Sequence, residues 1–352
     1  MIYFYTSISP HRIENLHKYL DHFYTQMFAE VNPVYDHAHY VEADFQDIID
    51  AYTDQLDNKL ETVFNAYLAL DPPEKALVQT AYTNNNSISS ICSSSVRPYK
   101  YDELPAGIIP AIEALYEKLW EKVLGYKVVR DSCGTVKEHF DEFRAINTNS
   151  VCPFCGLDSL LCEHDDGRDD YDHYVPKAKY PFCSINFNNL IPVCHNCNSK
   201  SKGQNDTPFE LDVIPLVQRE LYYPYAAIAG HAINVSITSA NTDLSDPNSW
   251  TLNVNCLPVA NNNKKDAWME IYNIETRYKA KIAKDSYKWK ERIIKKYQMR
   301  CVQNGTSFIS FQNDILDDYL DYSNINNGIV MKCFDEFIMN DPNCEANLQG
   351  VI

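Results

Sequence analysis

Across the first 150 residues, apolar side chains recur at intervals of three and four. Ile13, Leu16, Leu20, Phe23 and Met27 define one helix face, with Ser9 as expected N-cap and Pro10 as first helical residue. Phe45, Ile48, Tyr52, Leu56, Leu60 and Val63 predict a second helix, stopped by Pro72-Pro73. Ile108, Ile112, Leu115, Leu119 and Val123 predict a third, and residues 84–95 read as a Ser/Asn-rich loop. Stripes of this width bury the core of a helix bundle.

The pattern changes at residues 145–205, which are rich in Cys, Pro, His, Asp and Asn and poor in helical spacing. Ile233, Val235 and Ile237 then alternate, as do Leu252, Val254 and Cys256, predicting two strands around a turn-rich insert at 241–249. Residues 264–300 return to helical spacing as one long helix, with Ile271, Ile274, Tyr278, Ile282, Trp289 and Ile293 on its apolar face. Arg277, Lys281, Lys284, Lys288, Arg292 and Lys295 form a basic stripe about 100° away. Two short amphipathic stretches follow from Phe308, and no internal repeat is present. The expected fold is α+β and mostly helical. Its three parts are a helical region 1–144, a compact module 145–205, and a mixed region 206–352 with a small β-hairpin.

Hydrophobic residues make up 45% of the 352, enough for a core and inconsistent with a disordered chain. No apolar run approaches the ~18 residues of a membrane span, and residues 1–12 lack the pattern of a secretory signal. A cytoplasmic location is expected, where the 12 cysteines stay reduced and Cys-x-x-Cys pairs read as metal sites. The net charge is −17, yet residues 264–300 hold 12 basic against 5 acidic side chains. A grip on a polyanion belongs in such a segment; a solvated helix face is the other reading.

Cys152-Pro153-Phe154-Cys155 and Cys194-His195-Asn196-Cys197 are two short knuckles within one small unit. Together they predict a closed Cys₄ site for structural Zn²⁺, which lends folding energy to a unit with little core of its own. Other readings are open nearby. His195 can replace a thiolate, Cys162-Glu163-His164 can form an auxiliary metal pair, and Asp169 or Asp170 can add a ligand. Cys133, Cys183, Cys256, Cys301, Cys333 and Cys344 have no partner pattern and are expected as buried thiols.

Between the knuckles run Tyr171-Asp172-His173 and Asn188-Asn189, and Asn198 follows the last cysteine directly. In order and spacing this string resembles the HNH endonucleases, which have a ββα-metal fold, over about 55 residues. The resemblance implies His173 as general base and Asp172 and Asn198 as ligands of a catalytic Mg²⁺ or Mn²⁺. It implies that Asn189 holds the loop carrying His173. Hard oxygen donors suit such a cation, and an imidazole titrates near working pH. Lys177 and either Lys200 or Lys202 are expected at phosphate, because relatives often carry a Lys three residues after the Asn, where Ser201 stands.

The implied activity is metal-dependent hydrolysis of DNA phosphodiesters, one strand at a time, so that double-strand cleavage needs a homo-oligomer or repeated nicking. HNH modules joined to large helical regions resemble restriction and anti-phage effectors, including the Septu type with its ATPase partner. The rival reading is a non-catalytic, zinc-dependent module that binds nucleic acid or a protein partner.

Overall fold

The computed structural model describes residues 1–29, 33–162, 164–317 and 324–350. Its N-terminal half is built from α1 (Asn15–Phe28), α2 (His37–Tyr40), α3 (Ala43–Ala51), α4 (Asn58–Leu68), α5 (Pro72–Asn86), α6 (Ile88–Cys92), α7 (Ile109–Glu121), α8 (Lys127–Cys133) and α9 (Val136–Ile146). The predicted stripes supply its core: Leu16, Leu20, Phe23, Phe45, Ile48, Leu60, Ile112, Leu115 and Leu119 are all buried in one cluster.

Local details differ from the expectation. His11, not Ser9, caps the first turn: its Nδ1 accepts from Ile13 N at 3.1 Å, and Glu14 bonds back to His11 N. The second stripe is two helices, α3 and α4, joined by a wide turn that keeps Leu56 inward. Pro72 opens α5, where its missing N–H costs nothing, behind an Asp71/Glu74 capping box. The expected loop at 84–95 contains α6, because Ile88, Ile91 and Cys92 share a buried face despite the polar residues around them. Asn84 and Asn85 side chains donate to the carbonyls of Arg97 and Tyr99, fixing the chain that follows.

Next come β1 (Asp170–His173) and β2 (Leu190–Val193), antiparallel with His173 opposite Leu190 and Asp172 opposite Ile191. A wide helical segment, Asn196–Lys202, completes a ββα unit. The predicted hairpin is β3 (Ala232–Thr238) with β4 (Thr251–Leu257), pairing Ile233 with Cys256 and Val235 with Val254.

The long helix at 264–300 is divided into α10 (Asn262–Ile271) and α11 (Ile274–Tyr297) by Asn273, which takes a left-handed conformation at φ 50°. Asn tolerates that geometry better than most residues, and the periodicity of apolar positions runs through it undisturbed. Three helices close the described chain: α12 (Phe308–Asp317), α13 (Gly328–Met339) and α14 (Cys344–Gln349).

The fold is therefore α+β and mostly helical. The ββα unit lies between two cores. Tyr171, Phe182, Phe187 and Leu190 join the N-terminal helices. Ile191, Val193, Tyr174 and the knuckle cysteines join a second core with β3, β4 and α10 to α14. No described helix is long and apolar enough to cross a membrane.

Candidate active site

The knuckles come first, because they fix the frame. Cys152, Cys155, Cys194 and Cys197 are buried, with their sulfurs all within 4.8 Å of one another. Cys152 Sγ lies 3.8 Å from Cys197 Sγ, and Cys155 Sγ 3.8 Å from Cys194 Sγ. Four sulfurs bound tetrahedrally at about 2.3 Å from zinc stand about 3.8 Å apart, so the cluster fits a structural metal such as zinc.

The surroundings complete it. Leu157 N donates to Cys155 Sγ at 3.4 Å. Trp268 Nε1 donates to Phe154 O at 2.7 Å and Tyr278 O–H to Cys155 O at 2.9 Å, tying the first knuckle to α10 and α11. Gly156 turns the chain out of that knuckle at φ 66°, where a Cβ would lie 3.1 Å from Ile329. His195 is exposed and faces Asp170 at 3.7 Å, away from the cluster. Cys162 is exposed, and Glu163 lies outside the described residues. Asp169 accepts from Leu161 N at 2.7 Å, which occupies it within its own loop.

Arg277 is placed differently from the expected phosphate contact. Its Nη1 donates to Cys197 Sγ at 3.2 Å, and its Nη2 lies 3.4 Å from Asp158 Oδ2. Four thiolates exceed the charge of one zinc ion, so a cation is stabilised there.

Along β1, consecutive side chains point to opposite faces. Tyr171 faces α9, where its hydroxyl meets His139 Nδ1. Asp172 faces the Asn196–Lys202 segment. It is buried, with Oδ1 accepting from Lys202 Nζ at 2.8 Å. Lys202 Nζ also donates to His173 O at 2.7 Å. Asp172 Oδ2 is buried with no hydrogen-bond partner among the described residues. Burial pushes the carboxyl pKa up, and Lys202 pulls it down. An unshared buried oxygen of this kind is a fit donor for a hard cation.

His173 ends β1, 9% exposed. Its Nε2 is 2.9 Å from Ser184 O. A carbonyl only accepts, so Nε2 carries the proton and Nδ1 the lone pair. Burial lowers the pKa to about 3, opposed by the Ser184 bond and assisted by Lys177 and Lys202, so the ring is neutral at neutral pH. Ser184 is itself anchored by its neighbour Phe182, whose ring packs edge-on against Tyr24, Tyr82 and Tyr116 at 5.4 to 5.7 Å.

Asn189 lies at the entry to β2, fully buried. Its Oδ1 accepts from Val175 N at 2.7 Å, and its Nδ2 donates to Val175 O at 2.9 Å and Cys183 O at 3.3 Å. Both ends of the turn after His173 are thus held by one amide.

Asn198 lies in the wide helical segment, whose Gly203 N bonds to Asn198 O, five residues back, at 2.8 Å. Such a turn carries one residue more than an α-helical turn, so Lys202 takes roughly the place that Ser201 would hold in a regular helix. Lys202 is 2% exposed, so of the two candidate phosphate lysines only Lys200 reaches solvent.

Asp172, His173, Asn198 and Lys202 line one cavity of about 390 Å³, together with Lys177, Arg168, Trp120 and Gln204. Trp120 and Arg168 are absent from the sequence expectation. Trp120 directly follows Leu119 and so falls off the apolar stripe of α7, which was the available signal. Its ring meets His173 edge-to-face at 4.5 Å. Arg168 is a single cation in an acidic run. On α11, Lys281 pairs with Asp285 at 2.8 Å and Arg292 with Asp335, while Lys284, Lys288 and Lys295 are exposed.

No protein-family profile matches the chain, and no solved structure matches it. Among curated proteins it is similar to protein ea31 of Escherichia phage lambda, 30% identical over 113 residues covering 30% of this chain and 32% of that protein. It is also similar to Septu protein PtuB of Bacillus thuringiensis, 33% identical over 70 residues covering 20% of this chain and 26% of that protein. The chain thus spans about a third or less of the length of these relatives.

Proposed function

We propose that this protein is a metal-dependent endonuclease of the HNH type that hydrolyses DNA phosphodiesters in defence against phage. The observation that carries this reading is the convergence of Asp172, His173 and Asn198 on one cavity, with a buried, unpartnered Asp172 oxygen. Similarity to the Septu protein over 20% of this chain supports the defence role, and an ATPase as protein partner follows only from the architectural resemblance to Septu-type effectors. The boundaries at residues 144 and 205 then mark changes of role, with substrate positioning on either side of the catalytic unit.

In this mechanism His173 Nδ1 takes the proton of the attacking water, while the Ser184 carbonyl and the Asn189 amide hold the ring and its turn. Asp172 and Asn198 would hold Mg²⁺ or Mn²⁺, which supplies charge stabilisation at phosphorus and the leaving oxygen. Lys177 and Lys200 bind substrate phosphate. Lys202 orients the Asp172 carboxylate and favours its ionised form against the burial that raises its pKa. The zinc cluster fixes the second knuckle, and with it Asn198.

The rival, a non-catalytic binding module, draws on the same Lys202–Asp172 ion pair, which already neutralises the carboxylate. Incubation of supercoiled plasmid with Mg²⁺ or Mn²⁺ separates the two. The nuclease reading predicts relaxed circles with the wild-type protein and a loss of about 10²-fold or more in His173→Ala. Equal outcomes for both proteins favour the binder.

A further inference from the structure

The nuclease cavity has a wall that the ββα unit does not supply. Trp120 belongs to α7 of the N-terminal helical region, yet it lines the cavity beside His173 and Lys177. It is partly exposed, while Leu119 on the same turn is buried. An indole at a cavity mouth, one side against the catalytic imidazole, presents a flat apolar surface where nucleic acid must enter.

Three observations bear on what form of nucleic acid fits. First, the reacting groups are recessed: Asp172 is 2% and His173 9% exposed, and both line a cavity of about 390 Å³. A phosphate on an intact duplex is flanked by a rigid second strand and cannot be pushed into such a recess without distortion. Second, Glu113, Glu117 and Glu121 are exposed on the outer side of α7, and a neighbouring hollow is lined by these three with Lys177 and Ala178. The second phosphate chain of a duplex would be repelled there. Third, Lys177 Nζ lies 5.9 Å above the Trp120 ring and 3.4 Å from Glu121 Oε1. That is a loose contact with an exposed carboxylate. A strand phosphate offers Lys177 a better partner, and its departure uncovers the indole face.

Resting on the nuclease reading above, we infer that the site takes an unpaired strand of nucleic acid, with a base next to the scissile phosphate stacked on Trp120. Trp120 is then a substrate-binding residue that selects single-stranded or locally opened substrate. Stacking on an aromatic side chain tolerates any base, since every base has a π-face.

The test measures binding and cleavage separately. Fluorescence anisotropy in Mg²⁺ compares one labelled 30-mer as single-stranded DNA, as duplex DNA and as RNA, using the cleavage-impaired His173→Ala background. Binding to a single strand should exceed binding to the duplex by about tenfold or more. Trp120→Ala should lose roughly tenfold on single strands and little on the duplex, and Trp120→Phe should keep most of the affinity. The RNA arm shows whether the ribose matters. Cleavage of the same three substrates by proteins with intact His173 should follow the same order. Equal or stronger duplex binding, or a Trp120→Ala protein that binds single strands normally, overturns the inference. Normal strand selection without cleavage would leave Trp120 as a strand-binding residue and reject the nuclease reading.

Discussion

Lys202 shows how a single residue's role depends on its neighbours. As sequence it is one of two lysines beside a predicted phosphate site. In the structure it is buried, donates to Asp172 Oδ1 and His173 O, and lines the cavity with Asn198. Spacing alone could not show this, because the wide turn Asn196–Lys202 brings the fourth residue after Asn198 to roughly the place the third would hold in a regular helix. The grouping of Asp172, His173, Asn189 and Asn198 was legible, since the four lie within a short, local unit. Trp120 and Ser184 were not, since each reaches His173 through tertiary packing. Removing one member of a buried pair leaves the other uncompensated. Lys202→Met should therefore lower stability by about 3 kcal/mol or more, as read by urea unfolding at fixed zinc concentration. Asp172→Asn combined with Lys202→Met should recover a large part of that loss. A Lys202→Met protein as stable as wild type would show that the pair is not formed.

At the scale of elements, α11 combines three tasks. Its buried face, Ile274, Tyr278, Ile282, Trp289, Ile293 and Tyr297, is the one the periodicity predicts. Its first turns reach the zinc knuckles through Arg277 and Tyr278. Its basic stripe is only partly free, because Lys281 and Arg292 are paired with Asp285 and Asp335. The first of those pairings could be read from i, i+4 spacing; the second joins α11 to α13 and is visible only in the fold. The phosphate-tracking role proposed for this helix therefore narrows to Lys284, Lys288 and Lys295. Charge reversal of these three to Glu should weaken single-strand binding and flatten its salt dependence, by about two in the log–log slope if all three touch phosphate. Unchanged binding in a salt titration would make the stripe a solvated face. The break at Asn273 separates α10, which holds Phe154 through Trp268, from α11, which holds Cys155 through Tyr278. Two helices thus clamp one knuckle from two directions.

At the scale of the whole molecule, the ββα unit contributes side chains to two hydrophobic cores. Tyr171 and Leu190 are buried with the N-terminal helices, and Ile191 and Val193 with the C-terminal ones. This explains why a side chain as far along the sequence as Trp120 shares a cavity with His173. The three-part organisation read from the sequence rests on changes in composition, whereas the two cores draw on all three parts. The packing across those boundaries was not legible, because each core draws residues from segments far apart in the chain. The proposed function requires two different metals at two different sites: zinc among the four sulfurs and a hard cation beside Asp172 and Asn198. The most direct measurement is anomalous diffraction at the zinc and manganese edges from crystals grown with Mn²⁺. The account predicts a zinc peak at the cysteine cluster and a separate manganese peak in the cavity between Asp172 and Asn198, the latter lost in Asp172→Asn. Manganese bound elsewhere, or a cavity empty under saturating Mn²⁺ and single-stranded oligonucleotide, would contradict it.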